Sequence, residues 1–172
     1  MSQRLLTIGA WLARRAENLL ALMLGAMFVA FLVQIVFRYL LNLPIGWTHE
    51  ISVLLWLWLV LFGAAFVVRE SEEIRFDILY GSVGYKWRRA MAAVTAVAVV
   101  ALYGVSLPAM IDYVSFMKVE RTAYLKLPFN WTYSIYIAFA VAAIARYLWL
   151  GWRAARGVAP DAFDPTKASS GV

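Results

Sequence analysis

The stretch Leu19–Val68, LLALMLGAMFVAFLVQIVFRYLLNLPIGWTHEISVLLWLWLVLFGAAFVV, decides the fold. Its first part, Leu19 to Phe37, contains one strongly polar residue, Gln34. At a rise of ~1.5 Å per residue that run nearly crosses a hydrocarbon core ~30 Å thick. Its last part, Ile51 to Val68, is uncharged and rich in Leu, Trp and Val. The link between them is too short to hold a domain, so the second helix turns back antiparallel to the first.

Working outward, the same reading finds a third apolar run at Ala90–Ile111 and a fourth from Trp131 to Trp152. Pro108 kinks the outer end of the third without abolishing it, because neighbouring helices can satisfy the freed carbonyl. Arg146, inside the fourth, has a side chain long enough to reach the interface. The expected fold is an all-α membrane protein of four transmembrane helices, at about 18–41, 48–69, 89–112 and 130–153, in one domain over 1–157. A mobile tail over 158–172, with prolines, serines and no apolar periodicity, follows.

Composition agrees. Apolar residues make up 64% of the 172 positions and mean hydropathy is +0.74, above the roughly 45–50% apolar content of soluble domains. The net charge of +6 is read as topology and not as a nucleic-acid face, since the charges lie between the apolar runs. Arg4, Arg14, Arg15, Arg69, Arg75, Lys86, Arg88, Arg89, Arg153, Arg156 and Lys167 fall on one side. Arg38, Lys118, Arg121 and Lys126 fall on the other. The richer side is cytoplasmic, which puts both termini inside.

Residues Leu5, Leu6, Ile8, Trp11 and Leu12 alternate with Arg4, Arg14 and Arg15. They suit a helix lying on the inner surface, and they equally suit an early extension of helix 1. Helix 1 is expected to be an uncleaved anchor, because it is long and Gln34, Arg38 and Asn42 follow in place of a small-residue cleavage pattern. Ile74, Ile78 and Leu79 against Glu73, Arg75 and Asp77 predict a short amphipathic segment between helices 2 and 3.

Chemistry is sparse. There is no cysteine and a single histidine, His49, which excludes thiolate sites and paired-histidine haem ligation. No nucleophile with its base, carboxylate pair or phosphate-binding loop is present on one side of the membrane, so the chain is not expected to be an enzyme. Nor is a cofactor expected.

Specific structure is expected at the outer end of the helix 1–2 hairpin. Trp47, Glu50, Leu54 and Trp58 follow steps of three and four and form one stripe on helix 2, with Gly63, Ala64 and Ala65 deeper. Glu50 reads either as a membrane carboxylate exchanging protons or cations, or as an acid stabilised by the helix N-terminus. Its depth, just after the turn at Asn42–Gly46, favours the second. Gln34, Arg38 and Asn42 lie four apart on helix 1, and an Arg38–Glu50 ion pair or shared cluster is expected, the alternative for Arg38 being lipid phosphate. Ala92 and Ala96 on helix 3, with Ala138 and Ala142 on helix 4, are small-residue packing candidates.

Phe37-Arg38-Tyr39, Asn42, Pro44, Trp47, Glu50, Trp58, Gly63-Ala64-Ala65, Arg69, Ile74 and Asp77 occur in an order that resembles a known family. It is the small permease subunit of tripartite ATP-independent periplasmic (TRAP) transporters, the DctQ type. Leu125, Leu127-Pro128, Trp131 and Tyr133 resemble that family's entry into its last helix. One departure is Glu73, where the family commonly has His before the Ile-x-x-Asp step.

The resemblance implies a multi-pass bacterial inner-membrane subunit for Na+-driven organic acid uptake. Its partners would be a large permease that holds substrate and Na+, a periplasmic substrate-binding protein and membrane lipids, with no nucleic acid. This subunit would be a static scaffold that adds docking surface. The competing reading is an autonomous dimeric exporter like the small multidrug-resistance proteins, which use a membrane carboxylate.

Overall fold

The computed structural model describes residues 3–43, 45–68 and 83–157, with side chains from residue 11 onward. Helix α1 spans Gln3–Ile35 and widens into a π-helical turn at Val36–Leu40. Helix α2 spans Trp47–Phe62 and ends in a second π turn, Gly63–Val67. Helix α3 covers Tyr85–Phe116 and tightens to a 3-10 turn at Met117–Val119; α4 covers Phe129–Ala155. Each carries an apolar stretch long enough to cross a bilayer, so the chain is an all-α membrane protein of four spanning helices. Asp77, the amphipathic segment around it and the tail from residue 158 lie outside the described residues.

The helices are longer than hydropathy suggests. α1 starts at Gln3 instead of near residue 18, so Leu5 to Leu12 form an early extension of the helix. α3 likewise begins at Tyr85 and runs to Phe116. Hydropathy marks only the hydrocarbon depth. Ala, Leu and Arg around residues 10–16 are good helix formers, so breaking the ladder at the interface gains nothing. Pro108 stays inside α3; it lacks only its own N–H, and the helix continues past it.

α1 is terminated by Asn42, whose φ of 54° places it in the left-handed region. Asparagine is one of the few side chains that tolerates that conformation. Beyond it, the Leu43 N–H returns to the Phe37 carbonyl at 2.9 Å. The closure is one residue wider than a Schellman cap because the last turn is π-helical.

The chain divides into two compact units. One comprises Met1–Val67 and Leu107–Ala140. Within it α1 packs on α2 where Gly63 faces Leu20: a Cβ at Gly63 would lie 3.4 Å from the Leu20 side chain. Met23, Ala30, Ala65, Val114, Ile135 and Ala140 are buried there. The other comprises Val68–Ser106 and Val141–Val172. There a Cβ at Gly151 would come within 3.1 Å of Ala96, and both Ala96 and Ala154 are buried. The close approach of α3 and α4 therefore uses Ala96 against Gly151.

Ala92 and Ala142 are half-buried and Ala138 is exposed. Ala138 thus takes no part in the close approach of α3 and α4 within this chain. Its neighbour two positions on, Ala140, is completely buried.

Elsewhere the spans present apolar side chains outward: Leu22 is 69% exposed, Val97 71% and Val105 81%. In water such surface would drive collapse. In a bilayer it is solvated by acyl chains or covered by other helices, while the backbone is satisfied internally.

Candidate functional site

The α3–α4 loop is a small closed ribbon. Thr122 N–H bonds the Leu127 carbonyl at 2.9 Å, and Phe129 N–H bonds the Glu120 carbonyl at 3.1 Å. Leu127 N–H also donates to the buried Thr122 hydroxyl at 3.0 Å, and Arg121 donates to the Lys126 carbonyl at 3.3 Å. To turn so tightly, Lys126 adopts φ 56°, which costs a non-glycine residue roughly 1–2 kcal/mol. Lys126→Gly is therefore expected to raise thermal stability in mild detergent and Lys126→Val to lower it, each by about 1 kcal/mol.

This turn leaves the Tyr124 and Leu125 amides without backbone acceptors, and Glu50 takes both. Tyr124 N–H lies 3.1 and 3.4 Å from the two carboxylate oxygens, and Leu125 N–H lies 2.7 Å from one of them. Glu50 reaches them from the first turn of α2. Its position there also favours negative charge through the exposed helix amides. Hydrogen bonds to an ionised acceptor are roughly twice as strong as neutral ones, so the carboxylate joins α2 to the loop.

Gly46, immediately before α2, completes the contact. Its backbone is ordinary, with φ −95° and ψ −22°, so conformation does not demand glycine. The aromatic ring does: a Cβ at Gly46 would collide with the end of the Tyr124 ring.

Two turns along the same stripe, Trp58 makes a second tie. Its indole N–H donates to the Thr132 carbonyl at 3.1 Å, and its ring stacks on Trp131 with centroids 5.1 Å apart and planes inclined by 26°. Trp131 thus packs against α2. Trp58→Phe retains a ring on Trp131 and removes the donor. It is expected to cost about 1 kcal/mol in detergent thermal unfolding, and Trp58→Ala about 3 kcal/mol.

Glu50 and Trp58 of the stripe thus reach the α3–α4 loop and the start of α4, and the partner of Glu50 differs from the expected one. Glu50 bonds loop amides and no ion pair joins it to Arg38 among the described residues. Arg38 is exposed and Gln34 half-buried, and Asn42 serves as the αL terminator of α1. A backbone amide offers stronger satisfaction here than a long arginine that can reach the phosphate layer instead. Trp47 is exposed, Gly63 lies buried in the π turn against α1, and Asp77 is outside the described residues.

Sequence reasoning missed Thr122 and Tyr124, and gave Gly46 and Leu125 no part in the contact. A glycine directly before a helix was the one available signal; main-chain donors carry none. Among the described residues no three acids or histidines come together as metal ligands.

Comparison with known proteins gives this geometry its context. The family described as tripartite ATP-independent periplasmic transporters, DctQ component, matches residues 27–157. That span holds α2, α3, α4, the loop and all residues of both ties. The chain is also similar to the C4-dicarboxylate TRAP transporter small permease protein DctQ of Vibrio cholerae serotype O1 (strain ATCC 39315 / El Tor Inaba N16961). The two are 35% identical over 78 residues, 45% of this chain and 34% of that relative, so the match spans about a third of the relative's length. The family match covers most of the sequence: this chain belongs to the DctQ component family of TRAP transporters and is a small permease subunit of the bacterial inner membrane.

Proposed function

We propose that this subunit is a static scaffold for the large permease of a Na+-driven TRAP transporter of organic acids, with both termini in the cytoplasm. Its α3–α4 loop, on the periplasmic side in this topology, helps dock the substrate-binding protein. The observation that carries the reading is the state of Glu50. The one acid weighed as a carrier group, and disfavoured for its depth, is committed to the Tyr124 and Leu125 amides. A carboxylate used that way holds a loop in place. Cycling protons or cations through it would break the loop's attachment at every turnover.

The rest of the architecture supports the same role. A moving carrier would show broken helices and polar groups at the midplane, and the middles of α2 and α3 are continuous apolar helix. The scaffold has no catalytic chemistry and no cofactor of its own, Na+ belonging to the large subunit. The Vibrio cholerae relative is named for C4-dicarboxylates, which makes a dicarboxylate the first substrate to assay.

Reconstituted alone in liposomes, the chain is expected to move no dicarboxylate under a Na+ gradient. Uptake is expected only when the large permease and the binding protein are added. Transport by the chain alone would contradict the scaffold role and favour a small-exporter mechanism.

A further inference from the structure

The second compact unit ends in a cluster that transport through a partner leaves unused. Here the first turn of α3 meets the last turn of α4. The Tyr85 hydroxyl donates to the Gly157 carbonyl, and Arg89 donates to the Ala155 carbonyl at 3.1 Å. Gly157 closes α4 at φ 91°. The two helix ends are thus tied by bonds that use Tyr85 and Arg89 and not Lys86, Arg153 or Arg156.

Basic residues predominate among the described residues here. The described residues of this unit, 83–106 and 141–157, contain Lys86, Arg88, Arg89, Arg146, Arg153 and Arg156 and no aspartate or glutamate. On the side of the α3–α4 loop, by contrast, Arg38, Lys118, Arg121 and Lys126 are accompanied by Asp112, Glu120 and Glu50. Lys86, Arg153 and Arg156 are exposed. The Arg156 guanidinium rests 3.9 Å from the Trp152 ring centroid, an arrangement that orients the cation and leaves its N–H edge available.

Below the charges lies an aromatic step. Trp149, Trp152, Arg153 and Arg156 recur at helical spacing on one side of α4, and the Trp149 and Trp152 rings are 5.1 Å apart. Both are about half exposed, at 54% and 45%. Cations above indoles, on helices that cross the bilayer, match the layering of a phospholipid: phosphate in the outer layer, glycerol esters beneath it. A free phosphate ion would have no use for the indoles.

We propose that this cluster is a binding site for an anionic glycerophospholipid. Lys86, Arg153 and Arg156 hold its phosphate diester, and Trp149 and Trp152 flank its ester region. The site is independent of the subunit's role in transport.

The test uses the full chain in mild non-ionic detergent, with native mass spectrometry as the readout and phosphatidylglycerol, phosphatidylcholine and inorganic phosphate as probes. Phosphatidylglycerol is expected to be retained at least tenfold over phosphatidylcholine, and millimolar inorganic phosphate should not displace it. The variant K86Q/R153Q/R156Q should lose that preference, R153K/R156K should keep it, and K118Q/R38Q at the other end should leave it unchanged. Should the triple variant fail to fold, R153Q alone is expected to lower retention about threefold.

Equal retention of both lipids, displacement by inorganic phosphate, or equal loss in K118Q/R38Q would overturn the proposal. So would lipid held by the chain alone but absent from the complex with the large permease, which would assign the face to a protein partner.

Discussion

Replacing Glu50 with alanine is expected to release the α3–α4 loop while leaving the four helices in place. Two amide donors lose an ionised acceptor, and such bonds contribute about 1.5–3 kcal/mol each when well shielded. Glu50 is only half-buried and Tyr124 is exposed, so solvent screening reduces the total to about 2 kcal/mol. In hydrogen exchange, the Tyr124 and Leu125 amides should then exchange more than tenfold faster. Amides in the middle of α3 should not change. Glu50→Gln keeps one oxygen acceptor without the charge and should fall between wild type and Glu50→Ala. Glu50→Asp, shorter by one methylene, should resemble Glu50→Ala. Unchanged exchange at both amides in Glu50→Ala would show that the loop is held by something else.

The second large effect is expected at Gly46. Alanine there meets the Tyr124 ring, and the ring, being the far end of an exposed side chain, can swing away. The loss is therefore the packed contact plus the poorer helix capping of alanine relative to glycine, together about 1–2 kcal/mol. The ring's part in that cost is separable. In a Tyr124→Ala background, Gly46→Ala should cost only a few tenths of a kcal/mol, so a double-mutant cycle read by detergent thermal unfolding should yield a coupling of about 1 kcal/mol. If Gly46→Ala costs the same in both backgrounds, the ring does not explain the glycine.

These two residues also mark the limit of what the sequence makes legible. Four spans, their order and the Trp47–Glu50–Leu54–Trp58 stripe follow from hydropathy and the 3.6-residue period, both of which are written in side chains. The acceptor and donor roles along the stripe are not so written. Glu50 binds main-chain amides of Tyr124 and Leu125, and Trp58 binds the main-chain carbonyl of Thr132. Any residue type can supply those groups, so spacing pointed instead to Arg38, the nearest side chain of opposite charge.

The small-residue faces were half legible for a related reason. Alanine and glycine permit close approach wherever they lie, and which of them is used depends on helix rotation. Ala96 meets Gly151, whereas Ala138 faces outward. Asn42 was identified as a member of a polar cluster because its side chain is polar, yet it acts through its backbone, as a left-handed terminator.

The measurement that tests the central claim most directly is made on the Glu50→Gln subunit co-expressed with its large permease. A tagged subunit is purified in mild detergent, the ratio of large to small subunit is determined, and Na+-dependent uptake is measured in the complex that survives. A lower recovery of the large permease, with Na+ coupling per complex unchanged, is the predicted result. Full assembly accompanied by loss of Na+ coupling would contradict the account, because it would place Glu50 in the carrier mechanism and not in the scaffold.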